Sequence, residues 1–206
     1  MSQSKSPFYI VKEFISPLMC EDIVYRLNHS FPDEDKDGQP LKTIRLNNLT
    51  EIRVLPKLEE LVPKLEAYYN FETHGIESFD FEWYVEGFKP EGSKCKNFTY
   101  LNKKWKRCSD IDFTGVIFLN DYNNAMPFDP DYEVCGGKLE FYTHQFGFNP
   151  QRGTLIFFPE CPNFINTTGP IEAGELTQIR FHIVPKTPYN YDMKMFPGDY
   201  RVWFKD

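Results

Sequence analysis

Four histidines are the side chains of this chain best suited to metal binding or proton transfer, and they lie far apart, at His29, His74, His144 and His182. The last belongs to an apolar run over residues 176–184, in which Gln178 and Arg180 have the same parity. Alternate residues of a strand share a face, so a strand here would place these three polar side chains together. These three side chains either make up a functional site or are ordinary buried side chains with hydrogen-bond or ion-pair partners.

Sulfur ligands give little support to a further site. The chain has five cysteines, an odd number, and none form a Cys-x-x-Cys pair. This pattern is typical neither of a disulfide scaffold nor of a structural zinc site. We expect reduced, mostly buried thiols in a cytosol-like compartment.

Two segments could bind a partner. The first carries four cations around one aromatic ring: Lys103, Lys104, Trp105, Lys106 and Arg107. We expect either a solvated hairpin tip or a contact patch for an acidic partner or a phosphate. The second is a C-terminal arm, residues 185–206, which is rich in aromatic residues and interrupted by prolines: Tyr189, Tyr191, Phe196, Tyr200, Trp203 and Phe204. The arm either lies across the protein's own surface or docks on a partner.

The composition excludes several classes of protein. A formal net charge of −7 over 206 residues argues against a sequence-independent nucleic-acid binder. The sequence has no run of 18 apolar residues, and its first residues lack an apolar signal core, so we expect neither membrane insertion nor secretion. Its 20 Phe and 12 Tyr are far too many for a disordered chain.

The order of elements predicts a mainly β domain with flanking helices. A strand at 8–14 precedes a helix that begins at Ser16-Pro17, and a second amphipathic helix ends before Asn70. A polar loop at 31–40 separates them. Short β-rich runs then follow at 79–85, 114–119, 138–142, 154–158 and 176–184. Helices first and many strands afterwards favour an antiparallel β-sandwich or a jelly roll with helices packed outside. We place this domain at residues 1–184, before the arm.

Six segments, in the same order, resemble the prolyl-4-hydroxylase-like 2-oxoglutarate/Fe(II) oxygenases. They are the strand and helix start at 8–20, Phe81–Gly87, Thr114–Asn120, Gly136–Phe141, Asn149–Pro159 and Pro170–Gly174. The resemblance spans roughly residues 8–184 and implies a double-stranded β-helix. It also implies a ferrous ion held by a His-x-Asp pair and a distal histidine, with a basic residue for 2-oxoglutarate.

None of these three requirements is met in the sequence. The interval 75–143, where the His-x-Asp pair belongs, contains no histidine. Asn166 stands where the family has its distal metal histidine, and Leu176 stands at its basic position. A nonstandard site would have to use Asp112, His144 or His182 as metal ligands, with Arg180 binding the co-substrate in place of Leu176.

Three hypotheses follow from this mismatch. The first is a non-catalytic member of the fold that acts as a structural or interaction protein, with a protein partner or a homo-oligomer and no cofactor. By a loose analogy with phage-encoded relatives, it is a virion or assembly component; otherwise we expect it in the cytoplasm. The second is an active Fe(II)/2-oxoglutarate dioxygenase with nonstandard ligands. The third is a binding module that stacks a sugar or another small ligand on Trp83, Tyr84 or Trp105.

Overall fold

The computed structural model describes residues 6–30, 41–45, 48–90, 92, 95–125 and 128–189. The predicted loop at 31–40 lies outside these ranges. So do most of the arm's aromatic residues: Tyr191, Phe196, Tyr200, Trp203 and Phe204.

Two helices precede the main β region. Helix α1 spans Pro17–Ser30, and the Ser16 hydroxyl accepts a hydrogen bond from the Met19 N–H at 3.2 Å, as expected of an N-cap. Helix α2 spans Asn48–Tyr69. Its apolar residues recur every three or four positions and are buried: Val54, Leu58, Leu61 and Leu65. Neither described helix is long and apolar enough to cross a membrane.

Fourteen strands lie in the described part of the chain. They are β1 (Tyr9–Val11), β2 (Leu41–Arg45), β3 (Thr73–Tyr84), β4 (Phe98–Leu101), β5 (Lys104–Arg107), β6 (Phe113–Phe118), β7 (Asp121–Tyr122), β8 (Glu133–Gly136), β9 (Leu139–Phe141), β10 (Phe146–Phe148), β11 (Leu155–Pro159), β12 (Asn166–Thr168), β13 (Ile171–Gly174) and β14 (Leu176–Pro185). Five of them overlap the five predicted β-rich runs, so the mainly β class with flanking helices is confirmed.

The strands form one large sheet and several small ones. The large sheet has the order β1-β11-β6-β14-β3-β2, and all its pairs are antiparallel. Two three-stranded sheets, β10-β9-β12 and β13-β8-β7, make up a second layer, and β4 and β5 pair only with each other as a hairpin.

Both faces of the large sheet are buried, but against different partners. On one face Phe113, Ile117 and Phe181 share an apolar cluster with the two helices. On the other face Val116, Phe118 and Leu176 share a cluster with the small sheets. This second face is the interior of the barrel, and it contains the polar residues considered below.

The start of the C-terminal arm packs on the domain. The Tyr189 ring lies 4.7 Å from that of Phe113, and its N–H donates to Asp112 Oδ2 at 2.9 Å. Lys186 N–H donates to the carbonyl of Glu72 at 2.8 Å. A truncation that tests the predicted arm should therefore end at residue 189 rather than 184.

Gly115 provides a test of the packing between β6 and β14. A Cβ placed there would lie 2.2 Å from Cζ of Phe181. We expect Gly115→Ala to lower the free energy of unfolding by about 1–3 kcal/mol, because the ring must shift in a packed core. Urea denaturation followed by circular dichroism measures this.

Gly75→Ala is the matched control, since a Cβ at this strand position meets nothing within 4 Å. Its free energy of unfolding should change by no more than about 0.5 kcal/mol. Equal effects of the two substitutions would contradict the packing described here.

Candidate functional site

Strand β14 brings three polar side chains into the barrel interior. Gln178, Arg180 and His182 alternate along it, and each is at most 3% exposed. Their register pairs Gln178 with Glu82 of β3, and His182 with Thr114 of β6. The shared parity seen in the sequence thus corresponds to a shared, buried face.

Glu82 is the centre of the first half of this cluster. Its Oε2 accepts hydrogen bonds from Tyr84 Oη at 2.9 Å, Gln178 Nε2 at 2.6 Å and Arg180 Nε at 3.1 Å. Burial alone opposes the charged form of Arg180, but the neighbouring Glu82 carboxylate outweighs it and raises the arginine's pKa. Burial, reinforced by Glu82, raises the pKa of Tyr84, so its phenol stays protonated and donates.

Glu160, Thr114 and His182 form the second half. The Thr114 hydroxyl donates to Glu160 Oε2 and lies 2.9 Å from His182 Nδ1. Burial raises the pKa of Glu160, while burial and then the charges of Lys96 and Arg180 lower the pKa of His182 to about 3. The imidazole is therefore neutral at pH 7. A neutral imidazole and a carboxyl group of raised pKa, joined through a hydroxyl, could exchange a proton.

Four buried polar atoms of the interior have no hydrogen-bond partner among the described residues: Asn166 Oδ1, Gln178 Oε1, Arg180 Nη2 and His182 Nε2. They offer two amide oxygens, one cationic donor and one ring nitrogen. Only the last of these is a strong ligand for a transition metal.

Asn166 and Leu176 occupy the positions that the oxygenase resemblance assigns to metal and co-substrate binding. Asn166 lies on β12, is 1% exposed, and donates from Nδ2 to the carbonyl of Phe164 at 3.1 Å. Leu176 is fully buried in the interior apolar cluster and pairs with Tyr84 across the sheet. By that resemblance, an amide and an isobutyl group stand where the family has an imidazole and a cation.

The three fallback metal ligands lie in separate surroundings. Asp112 accepts from Asn97 Nδ2 at 2.9 Å and from Arg107 Nη2 at 2.7 Å. The His144 ring packs 4.4 Å from that of Phe164, while His182 contacts Thr114. Within the described ranges, no group of three or more His, Cys, Asp or Glu side chains could hold a metal ion. The donor set present here thus does not fit a ferrous ion with 2-oxoglutarate.

Comparisons with known proteins identify the fold. No protein-family model and no curated protein matches the sequence. Solved structures do match. The viral collagen prolyl hydroxylase of Paramecium bursaria Chlorella virus-1, in its 2OG complex, has a TM-score of 0.66 and 13% identity over 88% of this chain and 97% of its own. This chain has the double-stranded β-helix fold of the prolyl-4-hydroxylases.

Two further structures agree. A Pseudomonas putida prolyl-4-hydroxylase has a TM-score of 0.59 and 13% identity, covering 88% of this chain and 94% of its own. A Trichoplax adhaerens prolyl hydroxylase, in complex with a hypoxia inducible factor peptide fragment, has a TM-score of 0.60 and 14% identity. The match covers 86% of this chain and 83% of the hydroxylase's own. At this identity the likeness establishes the fold, and the resemblance seen in the sequence is confirmed at that level.

The cationic segment forms the β4–β5 hairpin. Asn102 and Lys103 turn it with positive φ values of 53° and 62°, which matches a two-residue hairpin turn. Lys103, Lys104 and Lys106 are exposed, and Trp105 packs against Tyr100 with ring centroids 5.2 Å apart.

Two residues with predicted surface roles make contacts with buried groups. Arg107 also lies in this hairpin, but its guanidinium pairs with the buried Asp112 carboxylate, so its role is at least partly structural. Tyr84 is fully buried and hydrogen-bonded to Glu82, so it cannot stack a surface ligand.

Of the other two predicted stacking residues, Trp83 donates from Nε1 to Glu175 Oε2 at 2.9 Å. Trp105 borders an aromatic cleft of about 580 Å³, which Tyr100 and Tyr142 also line.

Sequence reasoning missed Glu82 and Glu160. Each is a charged residue at the interior parity of an apolar strand region, next to Phe81 and Pro159 respectively. A carboxylate at such a position needs a buried partner. A charged residue at an interior strand position could therefore have suggested that Glu82 pairs with Arg180. The register between the strands was still needed to place the two side chains together.

The Glu82–Arg180 pair predicts a large loss of stability when one partner is removed. Arg180→Met leaves a buried carboxylate without its cation and should lower the free energy of unfolding by about 3–5 kcal/mol. Adding Glu82→Gln should recover much of this loss, because the charge is then also removed. Denaturant unfolding of both variants measures the effect.

The control is Arg26→Met, which breaks an exposed pair with Asp22 one helical turn away. It should cost no more than about 0.5 kcal/mol. Similar losses of unfolding free energy in Arg26→Met and Arg180→Met would contradict the stabilising role of the Glu82–Arg180 pair.

His144 gives a prediction for pH. Burial lowers its pKa from 6.5 to about 4, so the unfolded chain takes up this proton first as the pH falls. The contribution of neutral His144 is present above pH 6.5 and is lost between 6.5 and 4. His144→Phe should therefore reduce the slope of unfolding free energy against pH in that window by about 1.4 kcal/mol per pH unit.

Denaturant unfolding at a series of pH values checks this prediction. Above pH 7 the imidazole is neutral in both states, so the curves of variant and wild type should run parallel. Equal slopes between pH 6.5 and 4 would contradict the burial of His144.

Proposed function

We propose that this chain is a non-catalytic protein with the fold of a 2-oxoglutarate/Fe(II) oxygenase, and that it works by binding a protein partner or further copies of itself. The observation that carries this proposal is the chemistry of the barrel interior. Arg180 is neutralised there by Glu82, while Asn166 and Leu176 stand where the fold's chemistry needs a metal ligand and a cation.

The interior charges support the same conclusion. A ferrous ion brought beside His182 would meet the cation of Arg180, whose charge also lowers the pKa of that histidine. Arg180 is already paired with Glu82, so this pair offers no unbalanced charge to hold either a metal ion or a co-substrate carboxylate.

The surface supports an interaction role. The β4–β5 hairpin exposes three lysines on a chain of net charge −7, next to exposed Tyr100 and Leu101. Exposed aromatic and cationic side chains together are typical of protein contact surfaces. A place in a virion or another assembly, or in the cytoplasm, is a finer proposal that rests on analogy alone.

Two other functions remain as candidates. An active dioxygenase with nonstandard ligands is favoured by the structural neighbours, which are prolyl hydroxylases by name, and by the neutral His182 ring. A small-ligand binding module is favoured by the aromatic cleft beside Trp105.

Anaerobic calorimetric titration with Fe(II) and 2-oxoglutarate tests the proposal. We expect chelator-stripped protein to give no heat of binding above that of buffer, because no described set of ligands fits the pair. The matched variant is His182→Ala, which removes His182 Nε2, a buried ring nitrogen without a hydrogen-bond partner among the described residues.

Stoichiometric, tight binding of iron that is lost in His182→Ala would overturn the proposal in favour of an enzyme with rebuilt ligands. Binding of a sugar without metal, lost in Trp105→Ala, would favour the binding module instead.

A further inference from the structure

The β4–β5 hairpin, residues 98–107, carries four cationic residues within five positions of the chain. Its two strands pair with each other alone, so it forms a sheet of its own. Lys103, Lys104 and Lys106 are exposed and form no ion pair with a described residue. Tyr100 and Leu101 are 57% and 51% exposed. We call this segment the basic hairpin.

A cleft of opposite character lies elsewhere on the same chain. It encloses about 800 Å³ between α1, the segment after β3, the loop before β8, and the β13–β14 turn. Its lining includes Tyr25, Glu86, Phe128, Asp131, Tyr132 and Glu175, and no lysine or arginine of the described chain contributes to it. We call it the acidic cleft.

The acidic cleft combines two features that recognise a lysine side chain. Glu86 and Asp131 are exposed and form no ion pair with a described residue. Tyr25, 62% exposed, supplies an aromatic face over which an ammonium group is attracted, whereas the Arg152 guanidinium already lies over the Tyr132 ring, 5.2 Å from its centroid. The acidic rim and the aromatic walls therefore favour an elongated cationic ligand with an apolar part.

We propose that the basic hairpin of one copy docks into the acidic cleft of a second copy of this chain. The argument is charge complementarity: the hairpin offers lysines beside Leu101 and Tyr100, and the cleft offers carboxylates beside Tyr25 and Phe128. The two surfaces share no residue, so one copy can use both. Such a head-to-tail contact makes rings if the rotation closes and open filaments if it does not.

This inference rests on the proposed interaction function and specifies its partner. The proposed function and this inference can fail separately. Iron and 2-oxoglutarate binding decides whether the chain is an enzyme, whereas self-association and its dependence on the two surfaces decide the present inference.

Charge reversal of each surface tests the contact in the full-length chain. One variant carries Lys103→Glu and Lys104→Glu, and the other carries Glu86→Lys and Asp131→Lys. Sedimentation velocity should show concentration-dependent association of the wild type that weakens as salt is raised, because the contact is between exposed charges. Each variant alone should lose this association.

Mixing the two variants gives the decisive result. The reversed hairpin then meets the reversed cleft, and the unchanged hairpin meets the unchanged cleft, so both contacts are complementary again. We expect the 1:1 mixture to recover the association that each variant lacks. A general change of net charge cannot produce this recovery.

Controls with the same change of charge at other exposed sites are Lys12→Glu with Lys64→Glu, and Glu59→Lys with Glu60→Lys. Both should associate like the wild type. If a reversed variant fails to fold, Lys103→Gln with Lys104→Gln and Glu86→Gln with Asp131→Asn replace it and should each weaken the association.

Four results would overturn the inference. They are a wild-type chain that stays monomeric into the high micromolar range, a cleft variant that associates normally, a mixture that stays monomeric, or binding by the cleft of a different cationic protein without any self-association.

Discussion

The interior of this barrel depends on the ion pair between Glu82 and Arg180. An arginine that is 3% exposed can be retained only beside a carboxylate, because an unpaired buried charge is too costly. Glu82 satisfies this need and also orients Tyr84 and Gln178 through the same oxygen atom. This cluster links the neighbouring strands β3 and β14 on the interior face of the large sheet. The charges of Glu82 and Arg180 therefore balance each other, while Gln178 Oε1 and Arg180 Nη2 have no hydrogen-bond partner among the described residues.

The fold of this chain is that of the prolyl hydroxylases, whereas its described residues include no group of three or more His, Cys, Asp or Glu side chains that could hold a metal ion. Under the proposed function, the apolar framework has been kept while the site has changed, because packing depends on Leu176 and its neighbours filling the interior. On that proposal function is argued from the surface, where a cationic hairpin and an acidic cleft carry opposite charges.

Most of the fold could be predicted from the sequence, and part of the site could not. The runs at 114–119 and 176–184 have the composition of strands buried on both faces, and the structure places β6 and β14 there. The parity of Arg180 with His182 was likewise readable. The partnership with Glu82, however, depends on the register between β3 and β14, which local pattern does not determine. The burial of Tyr84 and the pairing of Arg107 with Asp112 are tertiary contacts of the same kind.

The most direct test of a closed interior is NMR of the Asn166 side-chain amide, assigned with an Asn166→Asp variant. Mn(II), a paramagnetic ion that accepts oxygen and nitrogen ligands, is added together with 2-oxoglutarate. The account predicts that the Asn166 amide signals keep their intensity, since Nδ2 donates to the carbonyl of Phe164 and the proposal places no metal site beside this side chain. Selective loss of these signals at stoichiometric Mn(II) would contradict it, because an ion would then occupy the position of the fold's metal.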